Sequence, residues 1–90
     1  MSNKEKWERL EKFFNNDASI LCQFMYMGTA KVDDEKVLHL YKHIDTRRYI
    51  NLDKEGECYK FDFMKRDNEY VPVSKEEAKR HVFSLCLTTV

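Results

Sequence analysis

Two glycines, at positions 28 and 56, and a single proline, Pro72, are all the backbone irregularity this sequence provides. That excludes a phosphate-cradling loop, a dinucleotide fingerprint and a strained serine elbow, each of which needs several glycines at fixed spacing. No C-x-x-C occurs, and the three cysteines, Cys22, Cys58 and Cys86, lack ligand spacing. An odd count beside apolar neighbours predicts reduced thiols buried as small hydrophobes. Charge of one sign is missing too, since Lys+Arg and Asp+Glu number 16 each. This balance disfavours non-specific duplex binding, which needs surplus cations to displace counterions, and equally an acidic DNA mimic. The longest strongly apolar run, Ile20 to Met27, falls short of the roughly 20 residues that span a bilayer. The N-terminal residues go directly into charged, helix-periodic sequence, with no apolar leader core. These features predict a cytoplasmic chain with no membrane contact.

What is present suffices for one core. Ninety residues with 42% hydrophobic and 13% aromatic side chains predict a single domain, 1–90, needing no disulfide or structural metal. Trp7, Leu10, Phe13 and Phe14 form one apolar stripe, so residues 3–15 are expected to be helical. Ser2 with Glu5 makes a capping box, and Glu5–Arg9 and Glu8–Lys12 are i,i+4 pairs in the favourable order. Asn15-Asn16-Asp17 ends the pattern. Residues 18–28 carry two readings. Asp17 can cap a buried helix ending at Gly28, or Ile20–Met27 can be a strand covered on both faces and continuing to Val32. The strand is favoured, because it pairs naturally with the next extended segment.

Beyond Asp33-Asp34-Glu35, three strands are expected at Val37–Ile44, Arg48–Asp53 and Glu57–Phe63, with a short one at Tyr70–Val73 marked as an edge by Pro72. Asp53-Lys54-Glu55-Gly56 has aspartate at the start of a type I turn and glycine where a left-handed residue is wanted. Ser74 and Glu77 form a second capping box, so a helix starts at Lys75 with Ala78, Val82 and Leu85 inward. Residues 84–90 either finish that helix or form a last strand. The predicted fold is α+β: one antiparallel meander of four to five strands with an N-terminal and a C-terminal helix packed on it.

Little in this layout supports catalysis. His39 and His43 have the spacing of paired zinc ligands on a helix, but in a strand they stand about 13 Å apart at roughly 3.3 Å per residue. Neither a metal nor another cofactor is expected. No cysteine is marked as activated, and the carboxylates are interleaved with lysines as on a solvated face. The chain therefore reads as a non-enzyme.

One segment stands out, Tyr41-Lys42-His43-Ile44-Asp45-Thr46-Arg47-Arg48-Tyr49. It concentrates four cationic or potentially cationic side chains, Lys42, His43, Arg47 and Arg48, at a hairpin end flanked by two tyrosines. An odd-length turn centred on Thr46 sets His43 opposite Tyr49, Tyr41 opposite Asn51 and Leu40 opposite Leu52. Leu38, Leu40, Ile50 and Leu52 then share an aliphatic face, and Tyr41, His43, Tyr49 and Asn51 the other. A three-residue loop next places Tyr59 opposite Asn51 and Phe61 opposite Tyr49. Tyr41, Lys42, His43, Arg47, Arg48, Tyr49 and Tyr59 are the candidate binding residues. The tyrosine face is either a second core face under a helix or an exposed platform suited to stacked bases, phosphates or a partner's acidic groups.

A helix–meander–helix layout on a small, neutral chain with reduced cysteines is similar in style to phage and mobile-element accessory proteins, including inhibitors of host defence. The likeness implies a small non-catalytic, inhibitor-type interaction protein with a protein partner. The alternative is binding of a nucleotide or single-stranded nucleic acid on the tyrosine face edged by Lys42, Arg47 and Arg48. An uncovered edge at Tyr70–Val73 or along Ile20–Val32 offers a route to a homodimer.

Overall fold

The first apolar stripe forms helix α1 (Asn3–Phe13), burying Leu10, while Phe14 just beyond it is also buried and Trp7 and Phe13 pack at the rim. The computed structural model describes residues 3–62 and 69–84. Ser2 of the first capping box, residues 63–68, with Phe63 of the third expected strand, and residues 85–90, with Leu85 and Cys86, lie outside them. Asn15 and Asn16 take left-handed φ values of 54° and 58°, and these end the helix; asparagine visits that region at low cost. The Asp17 carboxylate then accepts the Ser19 N–H at 3.0 Å and caps one turn, α2 (Ala18–Leu21).

Strand β1 (Phe24–Lys31) begins at once, so both readings of residues 18–28 hold in part. Asp17 is a helix cap, and the chain is extended from Phe24. The expected burial on both faces fails, because Met25 and Met27 are 40% and 43% exposed. A bulge between Tyr26 and Gly28, with Gly28 at φ +112°, shifts the pairing register with the next strand there. Glycine suits such a conformation because it lacks the Cβ that clashes at positive φ.

Strands β2 (Val37–His43), β3 (Tyr49–Leu52), β4 (Cys58–Asp62) and β5 (Glu69–Val73) complete one antiparallel sheet in the order β1-β2-β3-β4-β5. Pro72 sits in the edge strand β5, where a missing N–H is tolerated. Ser74 caps the last helix, α3 (Lys75–Phe83), by accepting the Glu77 N–H at 3.0 Å. The fold is thus α+β, a five-stranded meander with a helix at each end. Among the described residues, the helices pack on one face. Leu10 and Phe14 from α1 and its end, and Ala78 and Val82 from α3, meet Phe24, Tyr41, Ile50, Leu52 and Cys58 there.

Register decides which side chains share that face. Tyr41 pairs with Ile50, Leu40 with Asn51 and Lys42 with Tyr49, one residue away from the expected pairing. The loop is not odd-length about Thr46. His43 N–H donates to Arg48 O at 2.8 Å, and Arg47 N–H returns to His43 O at 2.9 Å, so residues 44–47 form a four-residue connection. Arg47 closes it at φ +63°. With a period of two along each strand, the slip exchanges faces. Phe24, Tyr26, His39, Tyr41, His43, Ile50, Leu52 and Cys58 lie under the helices; Leu38, Leu40, Lys42, Tyr49, Asn51, Tyr59, Phe61 and Tyr70 lie on the other side. The next hairpin agrees with expectation at its turn, where Asn51 pairs with Tyr59 and Gly56 at φ +85° supplies the left-handed residue, but the expected Phe61–Tyr49 pair is not formed.

Candidate functional site

Three of the seven candidate side chains are structural. Tyr41 is fully buried beneath α1, where its hydroxyl donates to the Lys6 carbonyl at 2.6 Å and its ring meets Trp7 and Tyr26, each at 5.7 Å between centroids. Burial pushes its phenol pKa well up. His43 is buried between Phe24 and Phe83 and organises the hairpin it ends. Its Nδ1 accepts the Asp45 and Thr46 N–H groups, both at 3.2 Å, while Nε2 faces Gln23 Oε1 at 2.8 Å. That pattern places the ring proton on Nε2. Tyr59 is buried on the opposite face, its hydroxyl donating to Asp53 Oδ2 at 3.3 Å and accepting from Lys36 Nζ at 3.0 Å. Tyr41 and His43 therefore do not belong to a platform with Tyr49, because the one-residue register slip turns them inward.

The other four stay near the tip. Lys42 stands 5.9 Å above the Tyr49 ring, and Arg47 is exposed. The Thr46 hydroxyl donates to the Val82 carbonyl at 2.6 Å, fixing the tip to the end of α3. Arg48 thereby meets α3, with Nη1 donating to His81 Nδ1 at 3.1 Å. Burial, together with Arg48 and Lys60, holds the His81 imidazole below its ordinary pKa, consistent with the neutral ring this contact requires. Since Arg47 holds a left-handed conformation against the clash of its own β-carbon, Arg47→Gly is expected to raise stability by about 0.5–1 kcal/mol. A chemical denaturation midpoint below that of the parent chain would contradict this.

Beyond Asn51 and Tyr59, β3 and β4 are no longer paired, and a cleft of about 790 Å³ opens between them alongside α3. Arg48, Ile50, Val73, Ala78 and His81 line it from the helix side, and Tyr49, Phe61 and Tyr70 from the other. Phe61 is 44% exposed, with its ring centroid 5.0 Å from that of Tyr70. Two buried polar atoms of the lining, Arg48 Nε and Asn51 Oδ1, have no hydrogen-bond partner among the described residues. The Asn51 amide cannot satisfy its oxygen by flipping, because Nδ2 already donates to the Tyr59 carbonyl at 3.0 Å. Two atoms that have left water unpaired mark a place where a ligand's groups are worth most.

No family model matches the chain, and no curated protein or solved structure matches it. The geometry of the cleft is therefore what bears on function. It brings together Arg47, Arg48, Tyr49 and Tyr59 of the expected residues and adds Phe61, Tyr70, Lys60, Asn51 and His81. His81 carried a signal: it lies three residues after Ala78, on the inward stripe of α3, where an ionisable side chain needs a reason. Phe61 and Tyr70 gave none individually, since their meeting depends on β4–β5 pairing across the residues between them.

Of the described thiols and imidazoles, His81 alone lines this cleft. Cys58 is buried in the core and its thiol is pushed up to about 11 by that burial, whereas Cys22, expected inside, is exposed at the end of α2. His39 and His43 share the helix face of β2 with Tyr41 between them. Among the described residues, no three His, Cys, Asp or Glu side chains cluster as a metal site requires, and no helix is long and apolar enough to cross a membrane.

Proposed function

We propose that this chain is a non-catalytic binding protein whose ligand site is the cleft between β3, β4 and α3. The observation that supports it is a pair of buried atoms with no hydrogen-bond partner among the described residues, Arg48 Nε and Asn51 Oδ1, in two side chains that line one aromatic-lined cleft. Such sites are concave and mostly apolar, with a few placed polar groups fixing orientation. Cys58 does not lend itself to catalysis. A Cys58 thiol pushed up to about 11 is protonated at neutral pH and a poor nucleophile. A second reading, an inhibitor-type contact with a protein partner along the sheet edge, is favoured by Met25 and Met27 standing exposed on the edge strand β1.

The test is retention from cell extract by the tagged chain, with proteins, oligonucleotides and small molecules all read by mass spectrometry. Tyr49→Ala/Phe61→Ala removes two exposed rings, so its Tm is expected within about 5 °C of the parent's. It should lose the captured species. Undiminished capture by this variant removes the cleft from the reading, and loss through Met25→Lys/Met27→Lys instead transfers the function to the β1 edge.

A further inference from the structure

We propose that the cleft takes a nucleotide, with phosphate at Arg48 and Lys60, the base against Phe61 and Tyr70, and a base N–H donating to Asn51 Oδ1. The proposal rests on the cleft being the binding site and adds the class of ligand.

Charge is the first argument. The whole chain is balanced at 16 against 16, yet the charged residues lining the cleft are Arg47, Arg48 and Lys60 against Glu77 alone. Three cations to one acid, in a wall with low-dielectric neighbours, focus a positive potential on an otherwise neutral protein. The ligand should therefore carry negative charge. Arg48 is also preorganised: His81 holds Nη1 at 3.1 Å, and Nε is buried without a partner among the described residues. A guanidinium so fixed suits the oxygens of a phosphate, which it can engage through two N–H groups.

The rings supply the second argument. Phe61 and Tyr70 present adjacent aromatic surface, with centroids 5.0 Å apart and Phe61 still exposed. Tyr49 lines the same cleft, with the Lys42 ammonium 5.9 Å from its centroid. Base–aromatic stacking tolerates any base, because each has a π-face. Inorganic phosphate leaves these rings unused, and a fatty acid leaves the acceptor unpaired.

Asn51 is the third. One Nδ2 hydrogen is on the Tyr59 carbonyl and Oδ1 has no partner among the described residues, so the ligand should bring a donor to that oxygen. An amino or imino N–H of a nucleobase meets that need. A flat ring, a donor on the ring and an anion a few ångströms away are the components of a nucleotide, and a volume of about 790 Å³ lies within the roughly 300–1,000 Å³ of small-molecule sites.

The same chemistry arrives as free mononucleotide or as part of a single strand, and the two arms of the test separate them. Calorimetric titrations at 50 mM salt would use AMP, CMP, GMP and UMP, an eight-residue oligonucleotide, the four nucleosides and inorganic phosphate. At least one nucleotide or the oligonucleotide should bind saturably, with the nucleoside and phosphate controls each weaker by at least about tenfold. Phe61→Ala and Arg48→Lys should each weaken binding by about tenfold, a range in keeping with single stacking and phosphate contacts. Circular dichroism on both variants verifies the fold. Saturation by the oligonucleotide alone assigns the ligand to single strands, and steep weakening at 200 mM salt should then be seen. If phosphate binds as well as any nucleotide, or all arms are flat, the nucleotide proposal is overturned. A flat panel alongside capture from extract that still depends on Tyr49 and Phe61 leaves the cleft as a binding site for another ligand. A flat panel with capture indifferent to those residues overturns both.

Discussion

Tyr41→Ala is expected to cost about 3–5 kcal/mol, the range for emptying a large aromatic site in a core. Tyr41 is fully buried and joins both layers, since its ring meets Trp7 and Tyr26 and its hydroxyl donates to the α1 backbone at Lys6. A domain of this length has only about 5–13 kcal/mol of total stability, so the variant should be barely folded at 37 °C and its Tm lower by more than about 12 °C. Tyr41→Phe separates the two contributions. It keeps the ring and removes one hydrogen bond, for a loss of about 1 kcal/mol. Thermal melts tracked by circular dichroism read both variants. A Tm within a few degrees of the parent's for Tyr41→Ala would mean that α1 is not held to the sheet by this residue.

Asp53→Ala should come close to that, at about 2–4 kcal/mol, through polar groups rather than packing. Asp53 is buried at the turn between β3 and β4. Oδ1 accepts the Glu55 and Glu57 N–H groups, each at 2.9 Å, and Oδ2 accepts the Tyr59 hydroxyl, which Lys36 also contacts. Hydrogen bonds to an ionised carboxylate are stronger than neutral ones, and alanine leaves three donors without it. Asp53→Asn retains an acceptor for the two amides and is expected to recover more than half of the loss in urea denaturation. An equal loss in both variants would show that charge, rather than the turn's hydrogen-bond geometry, stabilises this end. The consequence for the cleft is direct, because β3 and β4 are joined by only two residue pairs beside this turn.

The two hairpins show what could be read in the residues and what could not. In both, one loop residue adopts positive φ. Where that residue is Gly56, the turn type, the loop length and the Asn51–Tyr59 register can be read from the residue letters. Where it is Arg47, nothing in the letters marks it, and an odd-length loop keeps the aliphatics together just as well. Arg47 is held there by His43, whose ring gathers the loop amides, and by Thr46, whose hydroxyl reaches α3. These are tertiary contacts that local pattern does not carry. One residue of slip moved Tyr41 and His43 from the candidate site into the core. Helix ends were more legible. Ser74 and Asp17 cap where short oxygen-bearing side chains precede apolar periodicity, and the asparagine pair ends α1. The cleft itself was beyond pattern, because it depends on β3 and β4 parting and on His81 arriving from α3.

The sequential strand order has a bearing on how the molecule is made. Each strand pairs with the one synthesised just before it, so the growing chain closes only short loops as the sheet extends, which favours rapid assembly. At each stage the newest strand is one exposed edge and is covered by the next to emerge, while β1 remains the other edge throughout. The wall contributed by Ala78 and His81 comes last among the described elements. A ribosome-bound fragment ending before α3 can thus hold the β2–β3 and β3–β4 hairpins while still lacking one side of the cleft. Translation through α3 is what completes the cleft.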